Sequence, residues 1–166
     1  MSYWSLQENG AAIACEVLRL GHTESFYEQC KGNRLRYSDC PVYFEALASK
    51  RPIVADRAWE HPVTHGLAEK YLEPLGISSL LEAPVWMRGG VVGVLCYEHR
   101  GPARHWTLEG IDFVTTLASM VSLAREESNR ARSEQLLRES EALLREASNA
   151  SARPLVPARP SSLSRG

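Results

Sequence analysis

Two long apolar segments separated by three residues constrain this chain more than anything else in it. Residues 78–87 (SSLLEAPVWM) and 91–99 (VVGVLCYEH) flank Arg88, Gly89 and Gly90. A linker this short, with two glycines, joins neighbouring strands running in opposite directions, so the pair reads as an antiparallel β-hairpin. The glycines lack the GxxxxGK[ST] or GxGxxG order and a following helix. They belong to a turn and, at Gly93, to a tight strand position rather than to a phosphate loop.

A second hairpin is predicted at the N-terminus, where residues 3–6 and 12–20 flank a turn at Asn9 and Gly10. Residues 22–38 hold one short irregular strand around 34–37. Pro41 opens a helix over 41–48, capped by Asp39 or Cys40. Residues 52–56 (PIVAD) are a short buried strand. His61 and Pro62 begin another helical piece, expected to stop near Leu72, because Pro74 blocks continuation and Gly76 permits the turn.

From Thr107 the period becomes helical. Thr107 is the predicted cap and Trp106 a staple onto Ile111. Leu108, Ile111, Val114, Leu117, Ala118, Val121 and Ala124 form one apolar stripe. Beyond Ala124 the chain turns rich in Arg, Glu and Ser, while Leu136/Leu137 and Leu143/Leu144 repeat at a spacing of seven, the signature of a short coiled coil. A helix continuous over 107–147 would reach about 60 Å, further than one domain needs, and is expected to project and meet another chain. Residues 148–166, rich in Ser and Pro, are expected to be disordered.

Nineteen Lys and Arg against twenty Asp and Glu leave a formal charge of −1, so no global basic field points to nucleic acid or to an anionic membrane. No apolar run approaches the roughly 18 residues of a membrane span, and the N-terminus lacks a signal-peptide pattern. The chain is read as cytoplasmic, with Cys15, Cys30, Cys40 and Cys96 as reduced, mostly core thiols, since no CxxC pair suggests zinc.

The order of strands and helices is that of an α+β domain. Three stretches, RPIVADRAWEHP, YLEPLGISSLLEAPVWMRGGVVGVLCYEHRGPARHW and TLEGIDFVTTLASMVSLA, closely resemble the GAF domain family, above all the GAF modules of bacterial sensor kinases. The resemblance implies a central antiparallel sheet of five or six strands with helices on both faces and a long C-terminal helix. Residues 1–125 would be the sensory domain, 126–147 a coiled-coil signalling helix and 148–166 the tail. Residues 39–75 would roof a small-ligand pocket on the sheet. The family usually has a helix before the first strand, whereas this sequence opens directly on SYW, so the surface such a helix would cover is expected either to be available to a partner or to mark a truncated gene product. The expected partners are a second copy, joined through the C-terminal helix, a small molecule, and an output kinase or other signalling protein in another chain.

Tyr43, Phe44, Asp56, Arg57, Trp59, Tyr71, Ser79 and Cys96 are the candidate pocket residues. No catalytic residue, metal ligand or particular cofactor is assigned. His61 and His65 have the spacing of zinc ligands on one helix face but lack a third ligand in view. Glu98, His99, Arg104 and His105 have the residue types of acid–base chemistry. Adjacent strand residues point to opposite faces, however, so Glu98 and His99 cannot share a pocket. This cluster is read as a surface corner in which arginines tie the loop to carboxylates and Trp106 pins the helix start. Cys96 is expected on one face with Val92, Val94 and Glu98. GAF-like enzymes that reduce free methionine sulfoxide use several cysteines, and bilin-binding relatives attach a chromophore to one. Neither the cysteine cluster nor a Cys-His dipeptide is present, so a thiol enzyme stays the alternative to a regulatory module, beside a ligand-free dimerisation module.

Overall fold

The computed structural model describes residues 1–16 and 33–151. The expected core role of Cys30, the strand beyond Glu16 and the disordered tail from 152 lie outside the described residues. The chain divides into two compact units, Met1–Glu126 and Glu127–Gly166.

The first unit is built on one antiparallel sheet. Its strands are β1 (Ser2–Gln7), β2 (Ala12–Glu16), β3 (Arg34–Arg36), β4 (Ile53–Ala55), β5 (Ile77–Met87) and β6 (Gly90–Arg100), in the order β3-β2-β1-β6-β5-β4. Both predicted hairpins form. In the first, Trp4 lies opposite Cys15, and a 3₁₀ turn over Glu8–Gly10 reverses the chain with Gly10 at φ +97°. In the second, Glu82 lies opposite Cys96 and Ala83 opposite Leu95.

β5 and β6 are not in register throughout. Val85 pairs with Gly93 but Trp86 with Val91, so Val92 is an extra residue in a β-bulge. The bulge reverses the alternation, and Val92 packs with Leu95 and Tyr97 instead of joining Val94 and Cys96 on the face expected for it. At Gly93 a Cβ would run into the Tyr3 hydroxyl and the Trp4 carbonyl, so only glycine fits where β1 crosses.

The roof consists of α1 (Pro41–Ala48), a 3₁₀ turn (His65–Leu67), a π-helical turn (Ala68–Leu72) and α2 (Glu73–Leu75). α1 starts at Pro41 after Cys40, which makes no side-chain cap. The helical piece expected from His61 begins only at His65, because the His61 ring nitrogen accepts the Val63 N–H at 3.3 Å and holds residues 61–64 in turns. It also runs past Leu72. Pro74 sits in the first turn of α2, where a missing N–H leaves no helical bond broken, and Gly76 at φ +65° ends it.

The C-terminal helix, α3, spans Leu108–Ser151. Thr107 caps it as predicted, its hydroxyl accepting the Gly110 N–H at 3.2 Å. Ile111, Val114, Leu117, Ala118 and Val121 pack on the sheet face formed by Tyr3, Leu81, Ala83, Val85 and Leu95, with Trp106 in the same cluster. Leu108 and Ala124 leave the predicted stripe and are exposed. At 3.6 residues per turn Leu108 falls roughly a third of a turn from the centre of that stripe. Within the second unit, residues 127–151 carry i,i+4 pairs such as Arg130 with Glu134 at 3.1 Å, and Leu136, Leu137, Leu143 and Leu144 are all exposed.

Candidate functional site

The face of the sheet under the roof is apolar except along one diagonal. Strand register sets this pattern: Ser2 of β1, Cys96 of β6 and Glu82 of β5 lie side by side, and Glu98 follows Cys96 by two residues on the same face. Glu82 and Glu98 are thus diagonal neighbours, a relation that places α-carbons about 7–8 Å apart. Both carboxylates are buried, at 2% and 5% exposure.

Two roof tyrosines reach down to this pair. Tyr43 of α1 donates its hydroxyl to Glu82 Oε1 at 3.0 Å, and the Cys96 thiol donates to the same oxygen at 3.0 Å. Tyr71, from the π-helical turn, donates to Glu98 Oε1. Ser2 Oγ donates to the Glu98 carboxylate at 3.3 Å while accepting the Trp4 indole N–H at 3.1 Å. The Trp4 ring meets Tyr71 edge to face at 5.2 Å. Glu82 Oε2 is buried without a hydrogen-bond partner among the described residues.

Burial dominates the electrostatics here. It pushes the Glu82 carboxyl up to about 7, aided by the negative field of Glu98 and opposed by the bonds from Cys96 and Tyr43. Glu98 is also raised by burial, against its bonds from Tyr71 and Ser2 and the positive N-terminal amine and Arg100. Burial, followed by the charges of Glu82 and Glu98, holds the Cys96 thiol well above its usual range. Such a thiol is a poor nucleophile. Cys40 is raised to about 11, by burial and then by Asp39.

The eight predicted pocket residues fall into two places. Tyr43, Phe44, Tyr71 and Cys96 are buried together in the roof-side core with Trp4, Ile13 and Leu80. Asp56, Arg57, Trp59 and Ser79 gather instead at the corner where β4 ends and the chain enters α3. There Asp56 accepts the Trp106 N–H at 2.9 Å and contacts His105 Nδ1 at 2.5 Å. The Ser79 hydroxyl donates to the Asp56 carbonyl at 2.7 Å and accepts the Arg104 N–H at 2.9 Å. The Trp106 bond above all, then His105, holds the Asp56 carboxyl below its ordinary value. Arg57 and Trp59 line an open groove of about 230 Å³ with Glu60, Ser78, Gly101 and Ala103.

The surface corner expected at residues 98–106 is therefore only partly a surface. Glu98 is in the core, His99 turns away to the Pro102 carbonyl, and Asp56 is the carboxylate that ties the loop. Arg104 lies over the Trp106 ring at 4.7 Å and pairs with no acid among the described residues. His65 Nδ1 bonds the Trp59 carbonyl at 2.9 Å, and among the described residues no group of three or more His, Cys, Asp or Glu is placed to hold a metal ion. Sequence reasoning passed over Glu82. Its signal was an acidic residue inside LLEAPV, where apolar neighbours on both sides leave no exposed strand face for it.

A curled antiparallel sheet with a helical roof over one face and a long helix on the other defines the class: a single-sheet α+β domain with a buried acid pair beneath the roof. The chain belongs to the GAF domain family, whose sequence model matches residues 6–124. Among curated proteins no sequence matches it. Solved structures similar in fold include the blue-light absorbing form of the Thermosynechococcus elongatus PixJ GAF domain, at 16% identity and TM-score 0.59, covering 87% of this chain and 80% of that one. A methyl-accepting chemotaxis protein fragment matches at 16% identity and TM-score 0.63, over 78% and 79% of the two chains. Free methionine-R-sulfoxide reductase from Neisseria meningitidis matches at 16% identity and TM-score 0.56, over 78% and 68%. Among the described residues no helix is long and apolar enough to cross a membrane.

Proposed function

We propose that this chain is a non-catalytic GAF regulatory module. A small ligand or a protein partner engages residues 39–75 over the sheet and biases the packing of α3, which carries the signal across a homodimer to an output protein, such as a histidine kinase of a two-component system, in another chain. The carrying observation is the corner at Asp56: one carboxylate at the end of β4 holds both the backbone of Trp106 and the ring of His105 at the entry to α3. A shift of the roof and β4 would be felt at the start of the helix without passing through a flexible joint.

Dimerisation through α3 is supported by apolar side chains that its own unit does not cover. Leu108, Phe113, Met120 and Leu123 are between 57% and 79% exposed, as are Leu136, Leu137, Leu143 and Leu144. A regulatory role is favoured over thiol chemistry because Cys96 is buried against two carboxylates, the opposite of the electropositive, accessible setting that activates a thiol. Light scattering on the full chain and on a chain lacking residues 126–147 tests the reading. A dimer weakened by the deletion is expected; an unchanged monomer in both would defeat it.

A further inference from the structure

We propose that Glu82 is the counter-ion of a small cationic ligand, a compact ammonium-type head group held between the roof and the sheet. The assignment rests on the regulatory reading above and names the chemical class of its ligand.

Every donor that reaches the two carboxylates from a side chain described above is neutral: Tyr43 and Cys96 at Glu82, Tyr71 and Ser2 at Glu98. Glu98 has positive charge in reach, from the N-terminal amine and Arg100. Glu82 has none among the described residues, and its only charged influence is the negative one of Glu98. Its second oxygen, Oε2, is buried with no partner. As a carboxylate, Glu82 leaves a negative charge in the core without a compensating one; as a neutral acid, it leaves a hydroxyl proton or a carbonyl oxygen unbonded. Both states are short of one component, and a group that brings a positive charge and N–H donors together supplies it.

The surroundings limit what that group can be. Trp4, Phe44, Tyr43 and Tyr71 belong to the buried cluster on this face of the sheet, so any group admitted beside the pair must be small, and aromatic rings next to an acid suit a cation. Both tyrosine hydroxyls descend from the roof, so a group that reaches Glu82 from that side must displace them. Tyr71 sits in a π-helical turn, a local irregularity of the kind that recurs at functional sites.

The full chain and Glu82→Gln are compared by thermal unfolding at about pH 8 and about pH 5.5 in methylammonium chloride, with sodium chloride and tetramethylammonium chloride at equal ionic strength. Methylammonium is expected to raise the wild-type melting temperature saturably by several degrees at the higher pH, and less at the lower, where Glu82 is protonated. Tetramethylammonium and the variant are expected to show only the sodium chloride response. Equal methylammonium shifts in wild type and variant, or none in wild type, overturn the assignment. Native mass spectrometry of freshly purified protein separates the two levels of failure. A retained neutral or anionic molecule sinks the cation and leaves the ligand-binding reading standing; no retained molecule and no amine response sinks the cation and leaves the regulatory reading only its protein partner.

Discussion

Replacing Glu82 by Gln gives the sharpest test of the buried acid pair. The carboxyl titrates near 7 in the folded chain and near 4.5 when unfolded, so between these values the folded state binds the extra proton. Stability is therefore full below about pH 4.5, declines as pH rises and levels off above about pH 7. With those two constants the wild type loses about 2–3 kcal/mol between about pH 5 and pH 8. Glutamine keeps an oxygen for Tyr43 and Cys96 and never ionises, but it buries an unpaired amide where Oε2 was, at a cost of about 1–2 kcal/mol. The variant should therefore be less stable than wild type below about pH 5 and more stable at about pH 8, with the curves crossing between about pH 5 and pH 6. Thermal unfolding resolves this, since the change in the difference amounts to roughly 5–10 °C for a chain of this length. Glu98, also raised, leaves a residual decline of the same sign in both proteins. Parallel pH profiles for variant and wild type would refute the reasoning.

Two further outcomes follow from the same geometry. Gly93→Ala should cost roughly 3 kcal/mol or more, measured by urea unfolding, because the added carbon meets backbone and ring atoms of β1 that have nowhere to go. Asp56→Asn should cost roughly 1–2 kcal/mol at neutral pH and speed amide exchange at Trp106 and the first turn of α3. Since the Asp56 carboxyl is held below 3.8, its contribution is present above that value and lost as pH falls through the lower folded value, so the variant and wild type should converge in strong acid.

The hairpins, the capped start of α3 and the α+β order were legible because each is encoded locally, by glycine turns, a threonine before a helical period and alternating apolar residues. Val92 was misplaced because alternation presumes an unbroken ladder, and a bulge is fixed by the partner strand and by the approach of β1 to Gly93. The helix predicted from His61 failed on a local competitor, the imidazole that accepts the Val63 N–H. The acid pair was hard to read for a different reason. Glu82 and Glu98 lie sixteen positions apart, and only register makes them neighbours; composition alone assigns glutamate to the surface. The candidate pocket residues were drawn from the right segments, yet no local signal separates those that enter the core from those that hold the corner.

The extra residue at Val92 also sets the register of the hairpin. A plain β5–β6 ribbon could slide by two residues and keep every side chain on its proper face. One such slide would set Glu82 directly across from Glu98, two acids at the closest cross-strand distance and in a dry interior. The bulge, with Gly93 beside it packed against β1, is incompatible with that alternative ladder, so the spacing of the two carboxylates is tied to the far end of the hairpin.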